Sequence, residues 1–493
     1  MRRFILTRWL FLLLILATGA GLALPSGPVA AANTPWSYQT IHAYGDTGQY
    51  NSLISDPASG AIAITYYSAT WQTLRAAWPN PGQGDCDASN NWNCFGVDST
   101  NNNVGKYSSL AYNAVDDYEG VAYQDASAHA LKFASNQCVP ACNYQSWTID
   151  NTPGVLTAQG TSLKFDSTGK PQIAYYQAFP AALKFAQYVG GGTGSCPNHD
   201  WQCDTIESGT ALGQYPSLDL NAIGQPRIAY YDGGTGQLKY AYRVIGGGTG
   251  CGGGTVSSTW TCQVIDASGG AVGSFAVLHQ SKCVFAPCND ATQIAYYDEA
   301  NHALKYAHTD GNGQCSPGTA LGWQCDTIET VGQWTSPALY LSMAVDANYS
   351  PRIAYYDHDD GANGMLKLAA PAATGNCGPN GGLFYSWQCD TIDHGYTLGG
   401  SHDVGLYPSM VVSNAGLVSI AYHDATAKDL LWATQMSQQT ISFSPLANKA
   451  ASDPPFQISA TASSSLPVTF TASGKCTVNG STVMLNGQAG SCT

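Results

Sequence analysis

The stretch Pro226-Arg227-Ile228-Ala229-Tyr230-Tyr231 decides the fold, because versions of it occur seven times along the chain. Each version is a short run of β-branched, small and aromatic residues, which favours a β-strand. The versions recur at intervals of about 52 to 67 residues, which indicates a repeated supersecondary unit. They are Ala63–Tyr67, Gly120–Tyr123, Gln172–Tyr176, Arg227–Tyr231, Gln293–Tyr297, Arg352–Tyr356 and Ser419–His423.

One complete repeat, Gln214 to Gly273, predicts four antiparallel strands. The predicted strands are Pro216–Leu220, Pro226–Tyr231, Leu238–Ala241 and Trp260–Asp266, separated by glycine-rich turns. Four short strands per unit are typical of one blade of a β-propeller.

The second strand of the repeat is apolar or aromatic on both faces. Ile228 and Tyr230 point to one side of the strand, while Ala229 and Tyr231 point to the other. A sheet with one wet face would carry polar residues there, so we expect each sheet to be packed between two neighbouring sheets.

The two ends of the repeat array predict a closed ring. The segment Trp36–Ile41 resembles the fourth strand Trp201–Ile206 but has no strands before it, and the seventh repeat, Leu406–Met436, has three strands and no fourth. Pairing these ends would remove the exposed edges of an open array. The predicted fold class is all-β: a seven-bladed β-propeller whose N-terminal strand closes the last blade.

The chain divides into three predicted regions. Residues 1–32 have the features of a secretory signal peptide, with Arg2, Arg3 and Arg8 near an apolar run that is too short to span a membrane. Residues 33–436 hold the propeller repeats. Residues 437–493 differ in composition and form a third region. We therefore expect a secreted or cell-surface protein without a transmembrane segment.

All 16 cysteines follow the signal segment and fall into eight close pairs. An even number of cysteines in an exported chain indicates disulfide bonds, whereas zinc sites would need a more regular spacing. The expected pairs are Cys86 with Cys94, Cys138 with Cys142, Cys196 with Cys203, Cys251 with Cys262, Cys283 with Cys288, Cys315 with Cys325, Cys377 with Cys389, and Cys476 with Cys492.

Two parts of the chain resemble known families. The phrases Pro226–Asp232 and Leu238–Ala241 resemble the sialidase-like (BNR-type) propellers of exported bacterial proteins. The tail phrases Thr440–Phe443, Cys476–Val478 and Gly490–Thr493 resemble bacterial immunoglobulin-like repeats. This resemblance implies a partial Ig-like β-sandwich, because such a domain needs about 100 residues and fewer are present; we expect the tail to be truncated.

The resemblance to sialidases does not extend to their catalytic residues. That family uses an arginine triad, and after the signal segment this chain has the four arginines Arg75, Arg227, Arg243 and Arg352. Arg227 and Arg352 occupy the same repeat position, which favours a structural role. The family's Ser-x-Asp-x-Gly-x-Thr-Trp motif is also missing, so no catalytic residue is assigned.

A group of histidines and carboxylates departs from the repeat pattern in the sixth and seventh repeats. Turns between second and third strands and loops between blades lie on one rim of a propeller, so these side chains should lie together there. The candidate binding residues are His358, Asp359, Asp360, His394, His402, Asp403 and His423. Histidines with carboxylates can bind metals or transfer protons. Polar loops that tolerate insertions would give the same pattern. The sequence does not decide whether these residues bind a metal.

We expect a non-catalytic binding or adhesion propeller, monomeric, whose partner is a glycan or a cell-surface protein. A formal net charge of −14 argues against nucleic acid. No cofactor is expected; calcium at the aspartate-ended turns is an alternative that no spaced carboxylate loop supports. The competing functions are a polysaccharide-acting hydrolase or lyase, with Asp359, Asp360 and Asp403 as its acids, and a passive cell-surface structural module.

Overall fold

The protein is described from a computed structural model. It describes residues 35–493 apart from these segments: 87–89, 101–102, 138–142, 153–154, 156, 158, 245–246, 249, 252–258, 282–290, 310–312, 317, 332–339, 359–363, 378–385, 396–400, 438–439 and 463–467. Within the described part every regular element is a β-strand. No helix in that part is long and apolar enough to cross a membrane.

The described residues form seven four-stranded antiparallel sheets, numbered here in chain order. The chain begins with β1 (Trp36–His42). Sheet 1 is β2 (Gln49–Ser55), β3 (Ile62–Ser68), β4 (Thr73–Pro79) and β5 (Trp92–Asp98). Sheet 2 is β6 (Val104–Asn113), β7 (Tyr118–Asp125), β8 (Ala130–Ser135) and β9 (Gln145–Asp150). Sheet 3 is β10 (Thr161–Phe165), β11 (Pro171–Ala178), β12 (Ala181–Tyr188) and β13 (Trp201–Ser208).

The next sheets repeat this order. Sheet 4 is β14 (Leu212–Leu220), β15 (Pro226–Asp232), β16 (Gln237–Arg243) and β17 (Trp260–Asp266). Sheet 5 is β18 (Val272–Gln280), β19 (Thr292–Asp298), β20 (Ala303–Thr309) and β21 (Trp323–Thr330). Sheet 6 is β22 (Leu341–Val345), β23 (Pro351–Asp357), β24 (Met365–Ala372) and β25 (Ser386–Asp393). Sheet 7 is β26 (Val404–Val412), β27 (Val418–Asp424) and β28 (Asp429–Gln435), completed by β1.

The predicted pairing of the N-terminal strand with the seventh repeat is observed. Strand β1 pairs antiparallel with β28, with Trp36 opposite Gln435 and Tyr38 opposite Ala433. The first strand of each sheet contacts the first strand of the next sheet, and β26 contacts β2. The all-β propeller prediction is therefore confirmed.

The core lies between neighbouring sheets, as the two-sided second strand predicts. Ile228, Ala229 and Tyr230 are fully buried, and Tyr231 is only 9% exposed. Seven hydrophobic clusters each combine buried residues of adjacent sheets. Burying both faces in this way requires a neighbour on each side, which a ring of sheets provides.

Six of the eight predicted disulfides are confirmed in the described part: Cys86–Cys94, Cys196–Cys203, Cys251–Cys262, Cys315–Cys325, Cys377–Cys389 and Cys476–Cys492. Five of them close the hairpin between the third and fourth strands of a sheet.

The other two predicted disulfides stay predictions. Cys138 and Cys142 lie outside the described residues, so the structure does not test their pairing. Cys283 and Cys288 also lie outside the described residues, and their pairing is untested as well. The predicted signal segment, residues 1–32, falls outside the described part too.

The tail carries two small sheets in its described part. Strands β29 (Ile441–Phe443) and β31 (Ala460–Ala462) pair, while β30 (Phe456–Gln457), β33 (Thr482–Leu485) and β32 (Cys476–Asn479) form the second sheet in that order. The core of the tail consists of Ile458, Cys476 and Val483.

Candidate functional site

The structure brings two of the predicted rim residues into contact with buried carboxylate and hydroxyl groups. His402 Nδ1 lies 2.6 Å from Asp424 Oδ2, and the Asp424 side chain is fully buried. The Tyr356 hydroxyl donates to Asp403 Oδ1 at 2.7 Å. The His402 side chain is 21% exposed.

The other predicted rim residues are less closely grouped. His394 is exposed, and the half-buried His358 ring lies 6.4 Å from the Tyr356 ring. Asp359 and Asp360 lie outside the described residues. Within the described part no three histidines, cysteines or carboxylates are arranged to hold a metal ion.

His423 lies in the interior and not on the rim. Its side chain is 4% exposed, and its Nδ1 is 2.8 Å from the carbonyl oxygen of Thr47, which accepts the ring N–H. Burial lowers the pKa of His423, although Asp46 and the Thr47 carbonyl oppose this shift. The His423 imidazole therefore links sheet 7 to the loop that leads into β2, which is a structural role.

A second candidate site, which the sequence analysis missed, lies at the centre of the ring. The residues at the start of the first strand of each sheet line this centre. In six of the seven sheets one of these residues is aromatic. These channel aromatics are Tyr50, Tyr107, Tyr215, Phe275, Tyr340 and Tyr407; sheet 3 has Gly160 at this position. Together they line a cavity of about 250 Å³.

The backbone is irregular at these aromatic residues, whose side chains point into the channel. Tyr50 has a φ of 50° and Tyr215 a φ of 50°, in the left-handed region that non-glycine residues rarely adopt. Register shifts between Leu212 and Gln214, and again before Ser217, mark β-bulges on both sides of Tyr215. Such a conformation persists only where the surrounding structure compensates for its strain, and residues that adopt it cluster at functional sites.

A glycine two residues before five of the six aromatics allows adjacent sheets to approach closely. A Cβ on Gly213 would lie 2.5 Å from the backbone nitrogen of Leu183 in the preceding sheet. The phrase Gly-x-Tyr-x-Ser, as in Gly213–Ser217, is the sequence signal that locates the cavity. It occurs at the start of first strands in repeats one, two, four and seven.

The channel aromatics form an open horseshoe. Their ring centroids are 4.6 Å apart for Tyr107–Tyr50, 4.7 Å for Tyr50–Tyr407, 4.4 Å for Tyr407–Tyr340, 5.0 Å for Tyr340–Phe275 and 4.1 Å for Phe275–Tyr215. Gly160 leaves the gap between Tyr215 and Tyr107. The opposite end of the channel has a larger volume, about 720 Å³, and is lined by the first strands and the turns that follow them.

The tyrosine hydroxyls make the narrow end of the channel polar. The Tyr50 ring packs against the rings of Tyr107, Tyr407 and Tyr340. Burial raises the pKa of Tyr407 to about 12 and holds the pKa of Tyr340 well above its ordinary value. These hydroxyls therefore stay neutral and can both donate and accept hydrogen bonds.

An exposed aromatic stack lies at the same end of the sheets, near the junction of sheets 7 and 1. The Trp71 ring is nearly parallel to the His42 ring, at 5.5 Å and 15°, and to the Tyr44 ring, at 5.7 Å and 22°. Tyr44 is 64% exposed and Trp71 is 36% exposed. We call His42, Trp71 and Tyr44 the stacked platform; the Arg75 guanidinium carbon lies 4.8 Å from the Trp71 ring centre.

Comparison of the sequence with known protein families and with curated proteins finds no match. Solved structures with similar folds include AofleA from Arthrobotrys oligospora, at 11% identity and a TM-score of 0.42, covering 73% of this chain and 90% of that one. A fucose-specific lectin from Aleuria aurantia also has 11% identity and a TM-score of 0.42, covering 73% and 100%. The α-L-arabinofuranosidase ARB93A from Fusarium graminearum has 10% identity and a TM-score of 0.38, covering 80% and 96%. All three TM-scores lie below 0.5, so these likenesses assign neither ligand nor activity to this chain.

Proposed function

We propose that this chain is a secreted or cell-surface, non-catalytic propeller that binds a glycan. The seven sheets would act as the seven blades of a closed, sialidase-like ring spanning residues 33–436, behind a cleaved signal peptide. The tail, residues 437–493, would be part of an immunoglobulin-like domain that spaces the ring from its attachment point.

The stacked platform is the observation that carries this proposal. One face of a pyranose ring presents C–H groups and is apolar, so it packs on an exposed aromatic ring, while its hydroxyls need polar partners at the edge. Tyr44 and Trp71 offer two nearly parallel exposed rings. The tyrosine hydroxyls of the channel mouth lie on the same end of the sheets.

A glycan array followed by titration calorimetry on the oxidised mature protein tests this function. We expect the Trp71→Ala variant to lose about tenfold or more in affinity, because it removes the ring that both His42 and Tyr44 contact in the stacked platform. The Trp147→Ala variant is the matched control, since Trp147 is 41% exposed on the outer strand β9, away from the platform. Equal affinity of both variants and the parent would contradict glycan binding at the platform, and capture of a protein ligand alone would favour the surface-protein alternative.

A polysaccharide hydrolase or lyase is the second candidate, and the contact between His402 and Asp424 favours it. A buried carboxylate on one ring nitrogen orients the imidazole, and the other nitrogen is then placed to act as a base. Screening neutral and acidic polysaccharides for turnover by the parent and by His402→Ala distinguishes the two functions. Turnover that disappears in the variant would establish the enzyme; no turnover by the parent would leave the binding function.

A further inference from the structure

A buried contact between a cation, a carboxylate and a tyrosine repeats around the ring. In sheet 4, the Lys239 ammonium lies 2.5 Å from Glu207 Oε1, and the Tyr230 hydroxyl donates to Glu207 Oε2 at 2.5 Å. Glu207 lies near the end of β13, the last strand of sheet 3, so the contact joins neighbouring sheets. The corresponding sets are Lys132 with Asp98 and Tyr123, Lys184 with Asp150 and Tyr175, Lys305 with Asp266 and Tyr296, and Lys367 with Glu329 and Tyr355.

Sheet 1 has the cation of this contact but not the carboxylate. Arg75 follows Leu74 in β4, as Lys239 follows Leu238 in β16. The strand that should supply the acid is β1, and His42 occupies that place, where its Nδ1 lies 2.8 Å from the Tyr66 hydroxyl.

The Arg75 side chain is consequently left without an anion. Among the described residues no carboxylate lies within ion-pair distance of Arg75, and its buried Nε has no hydrogen-bond partner. The side chain is half-buried and packs under Trp71, which is itself exposed. The guanidinium therefore has hydrogen-bond donors that no described residue uses, and a ligand carboxylate that reached them would form charge-assisted hydrogen bonds.

Sheet 7 shows the reverse change: the cation is missing and the carboxylate is present. There the carboxylate has other hydrogen-bond donors. Leu431 replaces the cation, but the Asp393 carboxylate accepts hydrogen bonds from the Tyr422 hydroxyl at 2.7 Å and the Gly395 backbone N–H at 2.9 Å. Arg75 has no such compensation among the described residues, which separates it from its repeat equivalents.

We propose that Arg75, with Trp71 and Tyr44, forms a binding site for a sugar that carries a carboxylate. This inference rests on the proposed glycan-binding function and names its ligand class. The planar guanidinium matches a carboxylate with two parallel hydrogen bonds, and the stacked platform takes the apolar face of the same or the adjoining sugar. The strongly negative protein favours a glycan with isolated carboxylates over a densely charged polyanion.

The test is a glycan array printed with carboxylated oligosaccharides, the methyl ester of each, and sulfated oligosaccharides, followed by calorimetry on the best pair. We expect the parent protein to bind the free acid at least about tenfold more tightly than its ester. Arg75→Gln should abolish this preference while keeping the affinity for the ester. Arg227→Gln is the matched control, because Arg227 also packs on a tyrosine and has no carboxylate partner in the described part.

Each outcome has a distinct meaning. Equal binding of acid and ester, equal binding of sulfated sugars, or a preference that survives in Arg75→Gln would overturn the carboxylate site while leaving glycan binding intact. Failure to bind any sugar would overturn the proposed function itself. The comparison of acid with ester uses the unaltered protein, so it decides the question even if Arg75→Gln fails to fold.

Discussion

The Ser409 hydroxyl accepts a hydrogen bond from the backbone N–H of Leu53 at 2.8 Å, although 356 residues separate the two in sequence. The same contact joins consecutive sheets at Leu110–Ser52, Leu163–Ser109, Leu218–Ser162, Leu278–Ser217 and Met410–Ser342. Val277 interrupts the series, because its side chain cannot accept a hydrogen bond. The contact from Ser409 to Leu53 is the one that links the last sheet to the first.

The first prediction concerns closure of the ring. Ser409→Ala should lower the free energy of unfolding by about 1–3 kcal/mol, because the Leu53 N–H would lose its acceptor in a partly buried site. Ser217→Ala is the matched control, since it removes the equivalent contact to Leu278 within the array. Similar losses in urea unfolding support a closed ring, whereas a loss in Ser217→Ala alone would indicate that sheets 7 and 1 are apart.

The second prediction concerns the buried ion pairs between sheets. Lys239→Met should destabilise the fold by about 3–5 kcal/mol, because Glu207 would keep its charge in a buried site without the ammonium. Combining it with Glu207→Gln should recover part of the loss, since the Glu207 charge is then removed too; the recovery is partial because Asp232, whose Oδ2 lies 3.8 Å from the Lys239 ammonium, keeps its charge. Urea unfolding of both variants checks this, and a cost below about 1 kcal/mol for Lys239→Met would show that the pair is not desolvated.

The third prediction is acid sensitivity from the same carboxylates. Burial opposes ionisation of Asp266, but the Lys305 ammonium and its hydrogen-bond donors outweigh burial and hold the pKa of Asp266 below its ordinary value. Asp98 and Asp150 have lowered pKa values for the same reasons. A carboxyl whose pKa is lowered by folding stabilises the protein above its unfolded pKa of about 4, and this stabilisation is lost as the pH falls below it.

Unfolding free energies measured from pH 6 down to pH 2 test this acid sensitivity. Asp266→Asn should be less stable than the parent at pH 6, and the difference should shrink as the pH falls. A difference that stays constant over this range would show that the Asp266 charge does not contribute.

The fourth prediction concerns the left-handed backbone at the channel. Tyr50→Gly should be more stable than Tyr50→Ala by about 1 kcal/mol, because alanine retains the cost of a φ of 50° and glycine does not. The pair Tyr230→Gly and Tyr230→Ala is the control, since Tyr230 lies in the regular strand β15 and there alanine should be the more stable. Both pairs are compared by thermal unfolding. The same rank order at both positions would argue against strain at Tyr50.

The repeat let much of the fold be predicted from local sequence. Each copy of the second strand, such as Arg227–Tyr231, carries its β-propensity and its two apolar faces within five residues, so strands and stacking follow from neighbouring positions. The unpaired fourth-strand phrase at Trp36–Ile41 similarly predicted its partner, because the seventh repeat lacks one.

The candidate site was predicted less well, because its members depend on contacts between distant repeats. His402 and Asp403 contact partners in other strands, but His423 points inward to Thr47, which sequence position alone could not show. The Gly-x-Tyr-x-Ser phrase is visible in the sequence, yet only the ring of sheets brings the Tyr50 ring to 4.6 Å from Tyr107 and 4.7 Å from Tyr407.

The sequence by itself determined the strands, their order, the six disulfides of the described part and the ends that meet, because hydrophobic alternation, turns and short loops act between near neighbours. The tertiary structure alone decided which side chains have an ion-pair or hydrogen-bond partner and which do not. In the sequence Arg75 is one more cation of the repeat. Within the described part it lacks an anion because β1 has His42, bonded to Tyr66, at the position where the fourth strands of sheets 1 to 6 have an acid.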